Sequence, residues 1–350
     1  MTRALLLVLA LSCAGAGHGH DAGIGDTGGG QDAPVDTDLG RPPWSRDWDA
    51  APAVLLLDAV KDLWVVGDVH GDFERLLALM AAAGLVDKTS TPAQAVWKAG
   101  AATVVFVGDL IDKWPHGLDV IAFVQSLSAS AAEAGGRVVV VMGNHEARFL
   151  AWPDDPVVED FKKELVAALL DPVEVASGKA GPGQFLRNLP IAARVGDTFI
   201  VHAGNTKGRT LDALVAEIKA GVDAAGFGAP VLLADDSILE TPLNPRPWWE
   251  LPSYDPESVL RVWAKALGAE RIVQGHDPGK VHFSDGKVRA DGELYQRFGR
   301  IFLVDTGMSR GIPNGTRGAL LHLHRDEASG KLTAVGVDAD GRTWPLWSGT

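Results

Sequence analysis

The sequence predicts an α/β layer fold. Short runs rich in β-branched and aromatic residues recur along the chain, and helical stretches separate several of them. Strands that alternate with helices are typical of layered α/β proteins. The predicted strands cover 63–66, 103–107, 138–142, 198–201 and 271–274, the predicted helices cover 73–83 and 118–134, and two further strands at 319–324 and 332–337 are expected to pair.

The first five strands share one pattern, in which a short apolar run leads directly into a polar turn. The run 63–66 leads into Gly67-Asp68, and the run 103–107 leads into Gly108-Asp109. Short apolar runs bounded by turn residues are typical of buried strands. The same pattern then places a polar side chain at the carboxyl end of each of these strands.

The composition is that of a folded protein, with 46% hydrophobic and 22% charged residues among 350. This length allows one large domain or two small ones. The net charge of -13 disfavours nucleic acid as a partner, because phosphate backbones are bound by Lys and Arg. A phosphate substrate stays compatible, because bound metal ions reverse the local field. Cys13 is the one cysteine, so a metal site must use His, Asp, Glu or Asn.

The N-terminal residues 1–16 predict an export signal. Arg3 precedes an apolar run at 4–11, which is shorter than the roughly 20 residues of a membrane-spanning helix. Two processing routes fit the sequence. Cleavage after Ala16 gives a secreted or periplasmic protein, whereas lipidation of Cys13, which follows a partial lipobox, gives a lipid anchor and an outer-membrane lipoprotein.

The remaining chain divides into a flexible tether at 17–50 and a folded domain at 51–350. The tether is rich in Gly, Asp and Pro and has few apolar residues, so it cannot bury a core. Two segments of the domain, near 149–190 and 207–254, are interpreted as insertions. Both fall between polar strand ends and are expected to overhang the site that those ends form.

Five strand ends carry Asp, His or Asn in glycine-containing motifs, at 67–72, 108–112, 143–146, 202–204 and 275–276. In open α/β sheets, ligands gather beyond the carboxyl ends of the strands. Neutral imidazoles and carboxylates suit Mn, Fe or Zn. The motifs therefore predict a metal site without sulfur ligands.

These motifs, in this order, resemble those of the calcineurin-like metallophosphoesterases, and within them the phosphoprotein phosphatases. The resemblance covers about residues 60–310 and implies an αββα fold, in which two sheets form a sandwich flanked by helices. It also implies two divalent metal ions. By this resemblance Asp68 and His70 bind the first metal, Asp109 bridges both, and the ligands of the second are Asn144, His202 and His276.

The resemblance further implies the chemistry of phosphoester hydrolysis. A hydroxide shared by the two metals attacks phosphorus, and His145 protonates the leaving oxygen while Asp112 orients its ring. Arg148 is expected to hold the substrate phosphate. Lys113 stands where the family's phosphatases usually carry arginine, and Arg246 is the candidate for a further phosphate-binding arginine.

Two remaining features are interpreted separately. The segment Asp305-Thr306-Gly307-Met308-Ser309 resembles the closing strand of the bacterial Shewanella-like phosphatase branch, which favours that branch. His322 and His324 alternate on a predicted strand and share one face, as a metal pair would. They lie outside every motif, so they are interpreted as solvated strand positions.

The predicted function is hydrolysis of phosphomonoesters, in a phosphorylated protein (Ser/Thr or Tyr) or a small phosphoester. A phosphodiesterase or a diadenosine-tetraphosphate hydrolase is one alternative, because related proteins share these ligands. A non-catalytic metal-binding surface protein is the other. The presence of His145 and Arg148 beside the ligands argues against this last interpretation.

Overall fold

The structure, a computed structural model, describes residues 46–349. The predicted export signal, Cys13 and the predicted tether up to residue 45 lie outside the described residues. The last residues of the predicted tether are tied to the folded body, because Arg46 donates hydrogen bonds to the carbonyl oxygens of Arg187 and Leu189, both at 2.8 Å. Within residues 46–349 the helices fall short of the length and hydropathy that a bilayer span requires.

The described chain forms fourteen strands, most of them three to seven residues long. In chain order they are β1 (Val54–Leu57), β2 (Asp62–Val66), β3 (Thr103–Phe106), β4 (Arg137–Val140), β5 (Ala192–Val195), β6 (Thr198–Val201), β7 (Arg271–Gln274), β8 (Val281–His282), β9 (Val288–Arg289), β10 (Tyr295–Arg297), β11 (Ile301–Leu303), β12 (Ala319–Arg325), β13 (Leu332–Asp338) and β14 (Thr343–Gly349).

Twelve of these strands form two six-stranded sheets. The first has the order β1-β5-β6-β7-β11-β10 and the second has the order β14-β13-β12-β2-β3-β4, while β8 and β9 form a separate hairpin. Within the second sheet β2, β3 and β4 are parallel, and within the first β6, β7 and β11 are parallel. The carboxyl ends of each parallel set therefore lie at one edge of its sheet.

Helices cover the outer faces of the sheets. In chain order the nine helices of the described residues are α1 (Phe73–Ala82), α2 (Gly117–Glu133), α3 (Asn144–Ala151), α4 (Glu159–Ala167), α5 (Pro172–Ala176), α6 (Gly183–Arg187), α7 (Leu211–Ala225), α8 (Pro230–Leu233) and α9 (Pro256–Ala266), with 3-10 turns at Pro156–Val158 and Gly226–Gly228. Helices α4, α5 and α6 fall within the segment 149–190, and α7 and α8 fall within 207–254.

The central strands β3, β6 and β11 are buried on both faces, which explains their nearly continuous apolar runs. Successive residues of β3 and β7 point to different cores: Val105 and Val273 pack between the two sheets, whereas Val104 and Ile272 pack under the helices. This alternation confirms the predicted sandwich of two sheets flanked by helices.

One predicted strand is wrong. Residues 305–309 form a loop that directly follows β11. Asp305 accepts a hydrogen bond from the backbone N–H of Gly307 at 2.9 Å, and Gly307 adopts a left-handed φ of 58°. This local turn takes the chain out of the extended conformation immediately after the strand.

Candidate active site

The structure brings together all six residues predicted as metal ligands. Five of them are buried and His276 is half-buried. They lie at the carboxyl ends of the parallel strands and at the start of α3: Asp68, His70, Asp109, Asn144, His202 and His276. The carboxylate of Asp109 occupies the centre. Its Oδ2 lies 3.5 Å from Nε2 of His70 and 3.5 Å from Nε2 of His202. This is the position that a bridging ligand requires.

The three predicted histidine ligands are all oriented by backbone carbonyls. Nδ1 of His70 lies 3.2 Å from the carbonyl of Ile111, Nδ1 of His202 lies 2.9 Å from that of Val107, and Nε2 of His276 lies 3.2 Å from that of Glu240. A ring that donates one N–H to a carbonyl presents its other nitrogen as a lone pair, which is how metal-binding histidines are held.

The protonation of these rings favours the same arrangement. Burial lowers the pKa of His70, His202 and His276, and the neighbouring histidines add to the effect. A histidine with a lowered pKa is neutral at pH 7, and the neutral imidazole is the form that coordinates metals.

Burial dominates the protonation of the acidic residues of the cluster. Burial raises the pKa of Asp109 to about 8, and burial together with Asp305 and Asp109 raises that of Asp68. The amide oxygen of Asn144 faces the carboxylate of Asp109 and lies 2.9 Å from Nε2 of His202. If the amide were rotated by 180°, its NH₂ group would donate hydrogen bonds to Asp109 and to His202. A bound cation would instead be coordinated by the amide oxygen in its present position, together with Asp109 and His202. The donor set therefore fits divalent metal ions.

The ligand loops depend on close backbone approaches and on strained conformations. A Cβ atom on Gly143 or Gly275 would overlap the carboxylate Oδ1 of Asp109 or Asp68. Three of the predicted ligands, His70, Asp109 and His276, adopt left-handed φ values of 45°, 49° and 71°. Such conformations are rare for residues other than glycine and concentrate at functional sites.

Glu146 holds the backbone of the cluster in place, a role that was not predicted from the sequence. Its Oε2 accepts hydrogen bonds from the backbone N–H groups of Asp109 and Gly143, at 2.8 and 2.9 Å. Its Oε1 accepts from Leu110 and Ile111, at 2.7 and 3.3 Å. The fully buried carboxylate thus ties the loop that carries Asp109 to the start of α3, which carries two further site residues.

We expect Glu146→Gln to reduce both stability and metal affinity. A carboxamide has one accepting oxygen, so its NH₂ group faces two backbone N–H groups, and the free energy of unfolding falls by about 2–5 kcal/mol. Chemical denaturation and elemental analysis measure the two effects. Glu164→Gln is the matched control, because Glu164 accepts from the N–H groups of Gly117 and Leu118 in α2, which carries none of the predicted ligands. Unchanged metal content in Glu146→Gln would contradict the supporting role.

His145 lies beside the ligands but is oriented differently from them. Its Nδ1 lies 2.9 Å from Oδ2 of Asp112, and its Nε2 lies 3.9 Å from Oδ2 of Asp109. Burial of the ring opposes protonation, but the charges of Asp109 and Asp112 outweigh it and raise the pKa of His145. A ring anchored by a carboxylate and protonated on the nitrogen that faces the cluster has the properties of a general acid.

The start of α4 fixes Asp112 in turn. Oδ1 of Asp112 accepts hydrogen bonds from the backbone N–H groups of Asp160 and Phe161, at 3.0 and 3.1 Å. The segment 149–190 therefore supports the His145-Asp112 pair through its helix N-terminus, where a carboxylate is favoured by the unpaired N–H groups.

Arg148 is engaged by two carboxylates. Its Nε lies 2.6 Å from Oε1 of Glu240, and its Nη1 lies 3.2 Å from Oδ2 of Asp155. Glu240 belongs to the segment 207–254, and its own carbonyl contacts His276, so it lies directly beside the centre. A phosphate bound by Arg148 must compete with these acids.

We expect Glu240→Gln to strengthen the binding of inorganic phosphate. Partly exposed ion pairs contribute about 0.2–1 kcal/mol, so releasing Arg148 from Glu240 lowers the inhibition constant of phosphate by about 1.4- to 5-fold. Competitive inhibition assays at constant metal concentration measure the change. Asp155→Asn is the control, with a smaller effect because its contact is longer. An unchanged inhibition constant in Glu240→Gln would show that Arg148 does not contact the phosphate.

The other predicted phosphate-binding residues lie in different surroundings. Lys113 has a left-handed φ of 63°, and its positive charge disfavours protonation of His70 and His145, so it lies near the centre. Arg246 is exposed, and across residues 46–349 no hydrogen bond or ion pair joins it to the ligands. Its role in phosphate binding stays a prediction.

Arg310 was not singled out from the sequence. It donates from Nε and Nη2 to the two oxygens of Asp72, at 2.9 and 2.7 Å, and its guanidinium stacks on Trp114 at 4.7 Å. The neighbouring hydroxyl of Ser309 donates to the carbonyl of His70 at 3.0 Å. The loop after β11 therefore anchors the first ligand loop.

Comparison with known proteins agrees with this arrangement. A family model described as calcineurin-like phosphoesterase matches residues 62–280. An uncharacterized protein of Schizosaccharomyces pombe is 29% identical over 287 residues, which cover 78% of this chain and 80% of that protein. Bis(5'-nucleosyl)-tetraphosphatase PrpE (asymmetrical) of Bacillus velezensis is 30% identical over 226 residues, 62% of this chain and 77% of that protein. Shewanella-like protein phosphatase 2 of Arabidopsis thaliana is 36% identical over 84 residues, 24% of this chain and 20% of that protein.

Solved structures share the fold. The cold-active protein-tyrosine phosphatase of a psychrophilic Shewanella species superposes with a TM-score of 0.64 at 21% identity, covering 85% of this chain and 82% of that chain. A protein serine/threonine phosphatase from Saccharomyces cerevisiae superposes with a TM-score of 0.50 at 17% identity, covering 85% of each chain. These matches confirm the two-sheet sandwich.

Proposed function

Because this chain belongs to the calcineurin-like phosphoesterase family, whose members use two divalent metal ions, we propose that it is a metal-dependent phosphatase acting on phosphomonoesters. Its proposed substrate is a protein phosphorylated on serine, threonine or tyrosine. The observation that carries the proposal is the pairing of a six-residue ligand cluster with His145, anchored by Asp112 and facing Asp109 at 3.9 Å.

The residues of the centre divide the work of hydrolysis. Asp68 and His70 would bind one ion, and Asn144, His202 and His276 would bind the other. Asp109 would bind both ions. When bound, two such ions supply an activated water nucleophile and neutralise charge on the phosphoryl oxygens.

His145 handles the proton of the leaving oxygen. The Asp112 carboxylate accepts a hydrogen bond from Nδ1–H and fixes the ring, so that Nε2 faces the centre with the proton to be donated. A serine alkoxide is a poor leaving group, and protonation as the P–O bond breaks lets it depart as the alcohol. Lys113 and Arg148 are the nearby cations proposed to bind the remaining phosphoryl oxygens.

A dinucleoside tetraphosphatase is the second candidate function. The relative PrpE, whose printed name gives that activity, is 30% identical across 77% of its length. Shewanella-like protein phosphatase 2, which supports the first candidate, is 36% identical over a shorter stretch of 84 residues. The ligand cluster suits both reactions, so the substrate must be decided by turnover.

A panel of four substrates tests the proposal: nitrophenyl phosphate, bis-nitrophenyl phosphate, phosphopeptides and diadenosine tetraphosphate. The Mn-loaded protein is expected to have its highest kcat/KM on phosphopeptides, and a strong chelator should abolish the activity until Mn is restored. A preference for the dinucleotide would favour the second candidate. Turnover of none of the four, with metal retained, would favour a binding protein instead.

We also propose that the protein is exported, on the basis of the signal predicted at residues 1–16. The full chain, expressed in a bacterium, is expected outside the cytoplasm. Cys13→Ala then decides the route, because loss of a lipid anchor converts a membrane-bound product into a soluble one. A product that is soluble with and without Cys13 would contradict lipidation, and one retained in the cytoplasm would contradict export.

A further inference from the structure

Three side chains on the outer face of the second sheet converge on one point, far along the strand from the active site. Strands β2 and β12 pair antiparallel, which sets His324 opposite Asp62 and His322 opposite Trp64. All four side chains share one face of the sheet. Asp62 begins β2, whereas Asp68 follows its end, so about 20 Å of extended chain separates the two carboxylates.

Both imidazoles contact the same carboxylate oxygen. Oδ1 of Asp62 lies 2.9 Å from Nε2 of His322 and 2.7 Å from Nδ1 of His324. The interpretation of these histidines as solvated strand positions is therefore incomplete. His324 lies directly opposite Asp62 and His322 lies diagonal to it, so the two rings contact the carboxylate through different nitrogens.

Contacts within the protein fix the positions of these side chains. The ring of His322 stacks on the indole of Trp64, with centroids 3.8 Å apart and planes inclined by 5°. The exposed fractions of the side chains are 18% for His322, 32% for Asp62 and 37% for His324. The three donors are thus partly desolvated and preorganised, yet open on one side to an ion and to a further ligand.

We propose that Asp62, His322 and His324 form a third metal site, specific for a divalent d-block cation such as zinc. Two imidazoles and one carboxylate are a common zinc donor set, and the fourth tetrahedral position remains for water or a partner's side chain. Ligand atoms on tetrahedral zinc lie about 3.4 Å apart, so the side chains must separate by about half an ångström from their present contacts.

Protons balance without an external base. A neutral ring moves its proton from the inward nitrogen to its other nitrogen, a protonated ring releases one proton to solvent, and the carboxylate is already ionised. Burial lowers the pKa of His322, which keeps that ring neutral. The ion replaces two hydrogen bonds to Asp62 with three coordinate bonds and links β2 to β12.

Zinc content tests the proposal. The full-length protein, loaded with zinc and passed through a desalting column, is expected to hold three ions per chain, and His322→Ala/His324→Ala should hold two. His282→Ala, which removes an exposed histidine on β8, is the matched control and should hold three. Equal zinc content in the double variant and the wild type would overturn the proposal.

Asp62→Asn separates metal binding from a purely structural role. The amide oxygen still accepts hydrogen bonds from both rings but is a weaker acceptor than the carboxylate, so the metal-free melting temperature should fall only slightly. Zinc affinity at this site should fall by more than about 10-fold, since even outer partners of metal ligands contribute that much. Turnover of nitrophenyl phosphate by the Mn-loaded enzyme should stay unchanged. A lower metal-free melting temperature with unaltered zinc affinity would show that the cluster is a hydrogen-bonded structural element only.

Discussion

Asp109→Asn is expected to abolish activity by releasing both metal ions. The carboxylate lies between the two groups of ligands, 3.5 Å from His70 and 3.5 Å from His202. A neutral amide removes the negative charge that both ions share. Outer partners of metal ligands already contribute about 10- to 100-fold in affinity, so the bridging ligand should contribute more. Elemental analysis after dialysis and turnover of nitrophenyl phosphate measure the two losses.

The stability of the same variant provides an independent check. Burial makes the ionised form of the Asp109 carboxyl unfavourable, so the metal-free Asp109→Asn protein should unfold at the same or a higher temperature than the metal-free wild type. In the presence of metal the order should reverse. Asp340→Asn, which removes an exposed ion pair with Arg317, is the control, and its melting temperature should equal that of the wild type with and without metal. Full metal content in Asp109→Asn would contradict its bridging role.

His145→Asn is expected to slow hydrolysis according to how much the leaving oxygen needs a proton. General acid catalysis contributes about 10²–10⁴-fold, so turnover of a phosphoserine peptide should fall by that factor. Nitrophenolate departs without a proton, and nitrophenyl phosphate turnover should fall far less. Single-turnover rates are the proper measurement, because product release hides differences in chemistry.

Two further observations constrain this result. Metal content should be retained, because Nδ1 of His145 is taken by Asp112 and the ring is not among the six ligands. Asp112→Asn should produce the same asymmetry between substrates in milder form, since it orients the ring without donating the proton. Equal losses on both substrates, with metals bound, would place His145 in phosphate positioning instead.

The ligand cluster could be predicted from sequence because its geometry is local. Asp68, Asp109 and His202 each follow a strand within three residues, and parallel strands necessarily end at one edge of their sheet. The fold class follows from the same strands, since their apolar runs alternate between two cores. Prediction succeeds here because the distance along the chain from strand end to ligand is short.

Other contacts depend on chain segments that no local pattern aligns. Glu240 reaches Arg148 from a segment without a motif, across 92 residues of sequence. Asp62 meets His324 because of the register between β2 and β12, across 262 residues. Glu146 lies within a predicted motif, and a glutamate in the first turn of a helix was an available signal for backbone capping. Its four hydrogen bonds join two segments that are separate in sequence, so they could be identified only from the tertiary structure.

The left-handed backbone at His70, Asp109, Asp112, Lys113 and His276 has a consequence for how this lineage can diverge. Each such conformation opposes folding by about 1–3 kcal/mol for residues other than glycine. Under the proposed function, turnover requires these side chains. In a descendant released from catalysis, glycine at the same positions relieves the strain, and stability rises as activity is lost. In inactive descendants of this chain, we therefore expect substitutions to appear first at these five residues, while the two-sheet sandwich around them is retained.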